Sequence, residues 1–215
     1  MVVEIVVRGE AEGRYPAERA IVTLAAAVEM AGKQQAYDHA AAVQQAITAQ
    51  LSELADRGAV LEWSSGQVSV SSHRPWRDDG GRQDPVHTAR LDIVAEFSDF
   101  DRLGGFIDYW AGRDGVEVAG IAWELLQENR RSHEADLRRS AVDDAVTRAQ
   151  SYADALRRGR VVPTRIADPG LLGGGGGPWS SAVRLEAAAD VSGGLQLTPQ
   201  PVRISVAVDA GFAAD

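Results

Sequence analysis

Twice along this chain an apolar, β-branched strand pattern runs into an amphipathic helix pattern and returns to a strand. The first pass covers Ile21–Val28, Ala36–Leu54 and Val60–Val70; the second covers Leu91–Phe97, Phe100–Trp110 and Val116–Leu126. A half-apolar strand and a striped helix each need a surface to cover, so this repeated order constrains the fold more than any single residue does. An alanine-rich helix pattern from about Ser132 to Leu156 follows, and Val202–Val208 closes the chain as a strand. Two split β-α-β units, a long helix and a C-terminal strand predict an α+β fold. One mostly antiparallel sheet with helices packed on one face is expected, in a single domain over residues 1–215.

In the first helix Ala36, Ala40, Val43, Ile47, Leu51 and Leu54 recur at intervals of three and four, and Gly58 stands where a helix stop belongs. In the second, Phe100, Leu103, Ile107 and Trp110 face inward behind a cap at Ser98 or Asp99. The long helix places Leu137, Ala141, Ala145, Ala149, Tyr152 and Leu156 on one stripe, widened by Val142, Val146 and Ala153. Gly9, Gly13 and Pro16 separate a first strand, Met1–Arg8, from a second that is apolar almost without a break. That second strand predicts burial on both faces, or one face in an intersubunit contact. Polar and glycine-rich composition near 73–86 and 168–181 reads as flexible loops, and Leu185–Val191 as a weak strand.

The net charge of −9 argues against a phosphate-backbone partner, and the basic pairs Arg130–Arg131 and Arg138–Arg139 sit among Glu134, Asp136, Asp143 and Asp144 as on a solvated helix face. Cysteine is absent, which removes disulfides, thiolate metal sites and cysteine nucleophiles. No run approaches the ~20 apolar residues of a membrane helix. Glu4 interrupts the apolar start and no basic n-region precedes it, so the sequence as written reads as cytoplasmic; a periplasmic or exported location would follow from a removed leader.

Three stretches carry a resemblance. Val7–Glu12 followed by Pro16 looks like a strand ending in a Gly-Glu-Gly-like turn; Leu137–Leu156 is a helix of alternating Ala, Asp and Arg; Leu197–Val208 is a proline-led final strand. In this order and spacing the chain resembles the SIMPL domain family, a domain of unknown function that includes a periplasmic immunogenic protein of bacterial pathogens. It departs from the family pattern at Ala17-Glu18, where an aspartate usually follows the proline, and near Val86-His87, where a Gly-Tyr pair is common. The resemblance implies a homo-oligomer with a scaffold or stress-related role in a bacterium, and no enzymatic mechanism.

Each local candidate for chemistry has a plainer reading. Gly173–Gly177 lacks the Gly-Lys-Ser/Thr of a phosphate loop and is followed by Pro178-Trp179. His133-Glu134 begins a zincin motif, but Leu137 stands where the second histidine is required. His39, His73, His87 and His133 lie on different elements, Ser64-Ser65-Gly66 reads as a turn, and Asp143-Asp144 diverge by ~100° around a helix. No catalytic, cofactor-binding or metal-binding residue is therefore assigned and no cofactor is expected. The loop tryptophans Trp76 and Trp179 are candidate anchors for a protein partner. The leading expectation is a non-enzymatic, self-associating SIMPL-type scaffold. The alternatives are a small-molecule-binding or catalytic protein with a pocket under 73–85 and 173–181, and an envelope-associated oligomer.

Overall fold

The computed structural model describes residues 2–75, 84–171 and 197–215. In chain order the elements are β1 (Val3–Tyr15), β2 (Arg19–Met30), α1 (Lys33–Asp56), β3 (Val60–His73), β4 (Val86–Phe97), α2 (Phe100–Ala111), β5 (Val116–Glu124), α3 (Gln127–Ala155), β6 (Val162–Ala167) and β7 (Val202–Ala214). The described residues form two compact units. One holds β2 to β5 with α1 and α2; the other holds β1, α3, β6 and β7. The α+β class and the antiparallel pairing hold. The expectation of one sheet does not: a four-stranded sheet of order β3-β4-β2-β5 and a three-stranded sheet of order β1-β7-β6 take its place. The first and last strands pair with each other, in unbroken register from Val3↔Ala214 to Tyr15↔Val202, and so leave the two β-α-β passes to a sheet of their own.

In the four-stranded unit β2 lies centrally between β4 and β5. Leu24, Ile93 and Phe97 from the sheet meet Ile47 and Leu51 of α1 and Leu103 and Phe106 of α2 in one buried cluster. Of the two cap candidates Asp99 is the one used, its carboxylate accepting the Arg102 N–H at 3.0 Å, while the Ser98 hydroxyl donates to the Gly58 carbonyl at 3.2 Å. Gly58 takes the left-handed conformation (φ 75°) and the following Ala59 N–H donates to the Leu54 carbonyl at 2.9 Å, closing α1 as its sequence position implies. Ser64-Ser65-Gly66 is no turn. It lies inside β3, where the register shifts between Ser65 and Val68, so the residues that suggested a turn make a bulge.

The apolar β2 buries consecutive residues, Ala25 and Ala26, and these point to opposite faces. On the face away from the helices, Arg90 of β4 bonds to Asp92 at 2.9 Å and also reaches Glu117 of β5, and both carboxylate positions are register partners of Ala25. The arginine stem thus crosses the central strand over an alanine.

In the three-stranded unit β1 runs straight through Gly9 and Gly13, which sequence reading took as breaks. Gly9 is there for another reason: a Cβ at this position would lie 2.0 Å from the Ala141 carbonyl oxygen and 2.7 Å from the Ala145 Cβ, so α3 rests directly on the backbone. The buried row on α3 is Leu137, Ala141, Ala145, Ala149 and Ala153. Val146, Tyr152 and Leu156, expected on that stripe, are exposed. An i, i+4 row runs oblique to the helix axis, and it continues to Ala153 and leaves the i+3 position at Tyr152 facing solvent. The helix also begins five residues before the expected Ser132, because Leu126 offers no capping side chain to mark the start. Strand β7 extends six residues past Val208, through Asp209 and Gly211, which interrupt the apolar pattern.

If Gly9 and the alanine row set the helix-to-sheet distance, Ala145→Leu should cost about 1–3 kcal/mol by overpacking and Gly9→Ala about 3 kcal/mol, at the top of that range. Arg148→Ala, which removes an exposed pair with Asp144 at 2.8 Å, should stay within about 0.5 kcal/mol. Denaturant midpoints of the three variants check this; equal effects would place the wrong face of α3 on the sheet.

Candidate functional site

Strand β6 is exposed along all but its last residue, and it carries Val162 and Ile166 at 60% and 59% exposure. Val162 pairs with Ala213 and is on the face away from α3; for Ile166 the cause lies in how α3 is placed. Its small-residue row packs it against β1 and β7, and a single helix ~10 Å wide cannot also shelter a third strand. Ile166 is the register partner of Ala210, which belongs to the core under α3, so its side chain is on the helix side of the sheet. Between α3 and β6 runs a groove of about 630 Å³ with Val146, Thr147 and Ser151 on one wall and Val161, Pro163 and Phe212 on the other. Its two walls are tied at one point, where Gln150 of α3 accepts the Val161 N–H at 3.0 Å.

On the opposite face of this sheet sits the one buried charged residue among the described residues, Asp209, at 9% exposure. Arg8 of β1 grips its carboxylate through two hydrogen bonds, Nε at 2.7 Å and Nη2 at 3.1 Å, and the Gly170 N–H donates to it at 2.8 Å. The Arg8 hydrogen bond, followed by that of Gly170, lowers the Asp209 pKa below the ordinary carboxylate range, against the opposing effect of burial. Beside it Arg165 of β6 lies over Gly211 of β7, its Cγ 2.9 Å from where a Cβ would stand, and reaches Glu4 of β1. This is structural chemistry: every group of the node is satisfied by another.

The four histidines remain apart. His39 is on α1, and His133 on α3 stacks on Tyr15 with ring centroids 3.7 Å apart. His73 and His87 are on paired strands, but His87 is opposite Ser72, whose hydroxyl it meets at 2.6 Å through Nδ1. Among the described residues no group of three or more His, Asp or Glu could hold a metal. Asp143 and Asp144 diverge as helix geometry requires, with Asp144 accepting the Glu10 N–H at 2.9 Å. Trp76, Trp179, Gly173–Gly177 and Leu185–Val191 lie outside the described residues, as does most of the pocket expected under 73–85 and 173–181. Sequence reading missed Asp209 because an acid in a strand pattern signals a strand end; the only hint of its partner was an arginine at the alternating position of the first strand.

The family model for SIMPL, described as a protein of unknown function (DUF541), matches residues 5–212. The chain belongs to the SIMPL family. The match runs through both units, so the SIMPL region includes the three-stranded sheet as well as the two β-α-β passes. No curated protein matches the chain. No helix among the described residues is long and apolar enough to cross a membrane.

The lowered Asp209 pKa has a sign. The folded state holds the carboxylate ionised more tightly than the unfolded chain does, so this stabilisation is complete above the unfolded value near ~4 and is lost as pH falls through the lower folded value. Asp209→Asn should therefore lower stability near neutral pH, on the order of 1 kcal/mol, with the difference from the parent shrinking as pH drops below about 4. Urea midpoints at a series of pH values measure it, and a difference that is constant with pH would show that the ion pair is not its source.

Proposed function

We propose that this SIMPL protein is a non-enzymatic scaffold that self-associates through the groove between α3 and β6. The observation that carries the reading is the strip formed by Pro163 and Ile166 on the helix side of β6 beside the exposed Val146, on a sheet whose single helix covers only its other two strands. At about 25 cal/mol per Å² such a strip gains from leaving water, and a scattered exposed side chain would not organise it in this way. A second copy is the occupant that fits best. The strip is apolar at its middle and bordered by Asp154 and Arg160, and a two-fold places like apolar surfaces against each other without requiring a partner of opposite charge.

Light scattering of the full chain from micromolar to near-millimolar concentration should give a mass above the 22.9 kDa of one chain. Ile166→Lys and Val146→Lys, both at exposed positions, should shift it toward the single-chain mass. A strictly monomeric parent overturns the reading.

A further inference from the structure

We propose that the cleft between α1 and the turn that ends α2 is a binding site for small organic carboxylates with an apolar body. The cleft has a volume of about 620 Å³, with His39, Ala42, Val43 and Ala46 of α1 on one wall and Tyr109, Trp110 and Arg113 on the other. It lies within the four-stranded unit and is independent of self-association through the α3–β6 groove.

The second wall is a fixed cationic platform. The Arg113 guanidinium lies 4.0 Å from the centroid of the Tyr109 ring and 5.8 Å from that of Trp110. The two rings meet edge-on at 5.1 Å and 88°, and the Trp110 indole N–H donates to Gln50 at 2.7 Å, so the rings hold one orientation. The backbone of Arg113 is pinned as well, its N–H donating to the Trp110 carbonyl at 3.1 Å and its carbonyl accepting the Val116 N–H at 3.2 Å. Gly115 completes the turn in a left-handed conformation (φ 77°), its carbonyl accepting the Ala27 N–H at 2.9 Å.

Among the described residues Arg113 has no acid partner, and what distinguishes it from the other arginines without one, such as Arg102 and Arg131, is its aromatic seat. Arg8, Arg19, Arg90, Arg165 and Arg203 each meet a carboxylate. Among the described residues Arg113 meets none, although Asp114 follows it and lines the same cleft; aromatic faces hold the cation in place. A guanidinium stacked on a ring keeps its planar N–H edge free for a bidentate anion, and a carboxylate matches that fork. On the facing wall Ala42, Val43 and Ala46, beside His39, give the rest of the ligand an apolar surface, which bare phosphate would leave wet. The net charge of −9 also disfavours polyanions relative to a singly charged acid.

Amide and indole NMR shifts of the full chain, titrated with 3-phenylpropanoate, 3-phenylpropanol and inorganic phosphate, test the assignment. The expected result is a saturable shift of the Trp110 indole and of the Gly112 and Gly115 amides with the carboxylate. Binding should weaken on the order of tenfold for the alcohol and for Arg113→Gln, and also for Ala46→Glu, which puts a negative charge on the apolar wall. Phosphate should give no saturable shift. The proposal is overturned if the carboxylate shows no saturable shift into the tens of millimolar, if Arg113→Gln binds it as well as the parent, or if phosphate binds equally.

Discussion

Each sheet of this protein has one face under helices and one face without them, and arginines spanning the central strand hold the open faces together. In the four-stranded sheet Arg90 crosses from β4 over Ala25 to Glu117 on β5, and Arg19 on β2 bonds to Glu96 and Glu124 on both sides at 2.7 Å. In the three-stranded sheet Arg165 crosses from β6 over Gly211 to Glu4 on β1, and Arg8 grips Asp209. The device needs a small residue where the stem passes and a carboxylate beyond it. This accounts for the alanines of β2 and for Gly211 without invoking a further layer of protein. Because each bridge ties two or three strands, it resists slippage of register, which apolar contacts on one face specify less sharply.

The covered faces rest on two different kinds of packing. Between α1, α2 and their sheet the interface is made of large side chains such as Phe97, Phe106 and Leu51. Between α3 and its sheet the helix contributes mainly alanine against Ile5, Val7, Val208 and Phe212 of the strands, with Gly9 under Ala141 and Ala145. Small residues bring backbones close and forfeit most of the apolar area that large side chains would bury, so α3 gains contact density in place of transfer free energy. The same closeness pins the helix over β1 and β7 and prevents it from shifting to shelter β6.

Periodicity made much of this legible in the sequence. The stripes of α1 and α2, the glycine stop at Gly58 and the order of the two passes follow from local rules, and the structure keeps them. What escaped was decided by residues distant in sequence. Gly9 read as a break because its partner, α3, lies more than 120 residues away. Asp209 read as a strand end because Arg8, 201 positions earlier, was not visible as its partner. The pairing of β1 with β7, which turns one sheet into two, is likewise the longest connection in the chain. The Arg113 platform had no motif either, since stacking on Tyr109 and Trp110 depends on a turn geometry that no spacing rule encodes.

These same features explain why exposed apolar side chains gather in one unit. A four-stranded sheet under two helices buries its large hydrophobics and leaves Tyr37, Leu61, Val68 and Tyr109 scattered over separate elements. A three-stranded sheet under one small-residue helix has neither the strands nor the side-chain volume to do so. Val146, Tyr152, Leu156, Val162, Ile166 and Leu171 stay exposed there within a span of 26 residues. Widening α3's stripe with leucine would cover more of them only by lifting the helix off Gly9 and surrendering the alanine contact. Apolar exposure at β6 is thus the physical counterpart of close packing at β1, and any partner that covers β6 completes a layer that α3 is fixed too far away to supply.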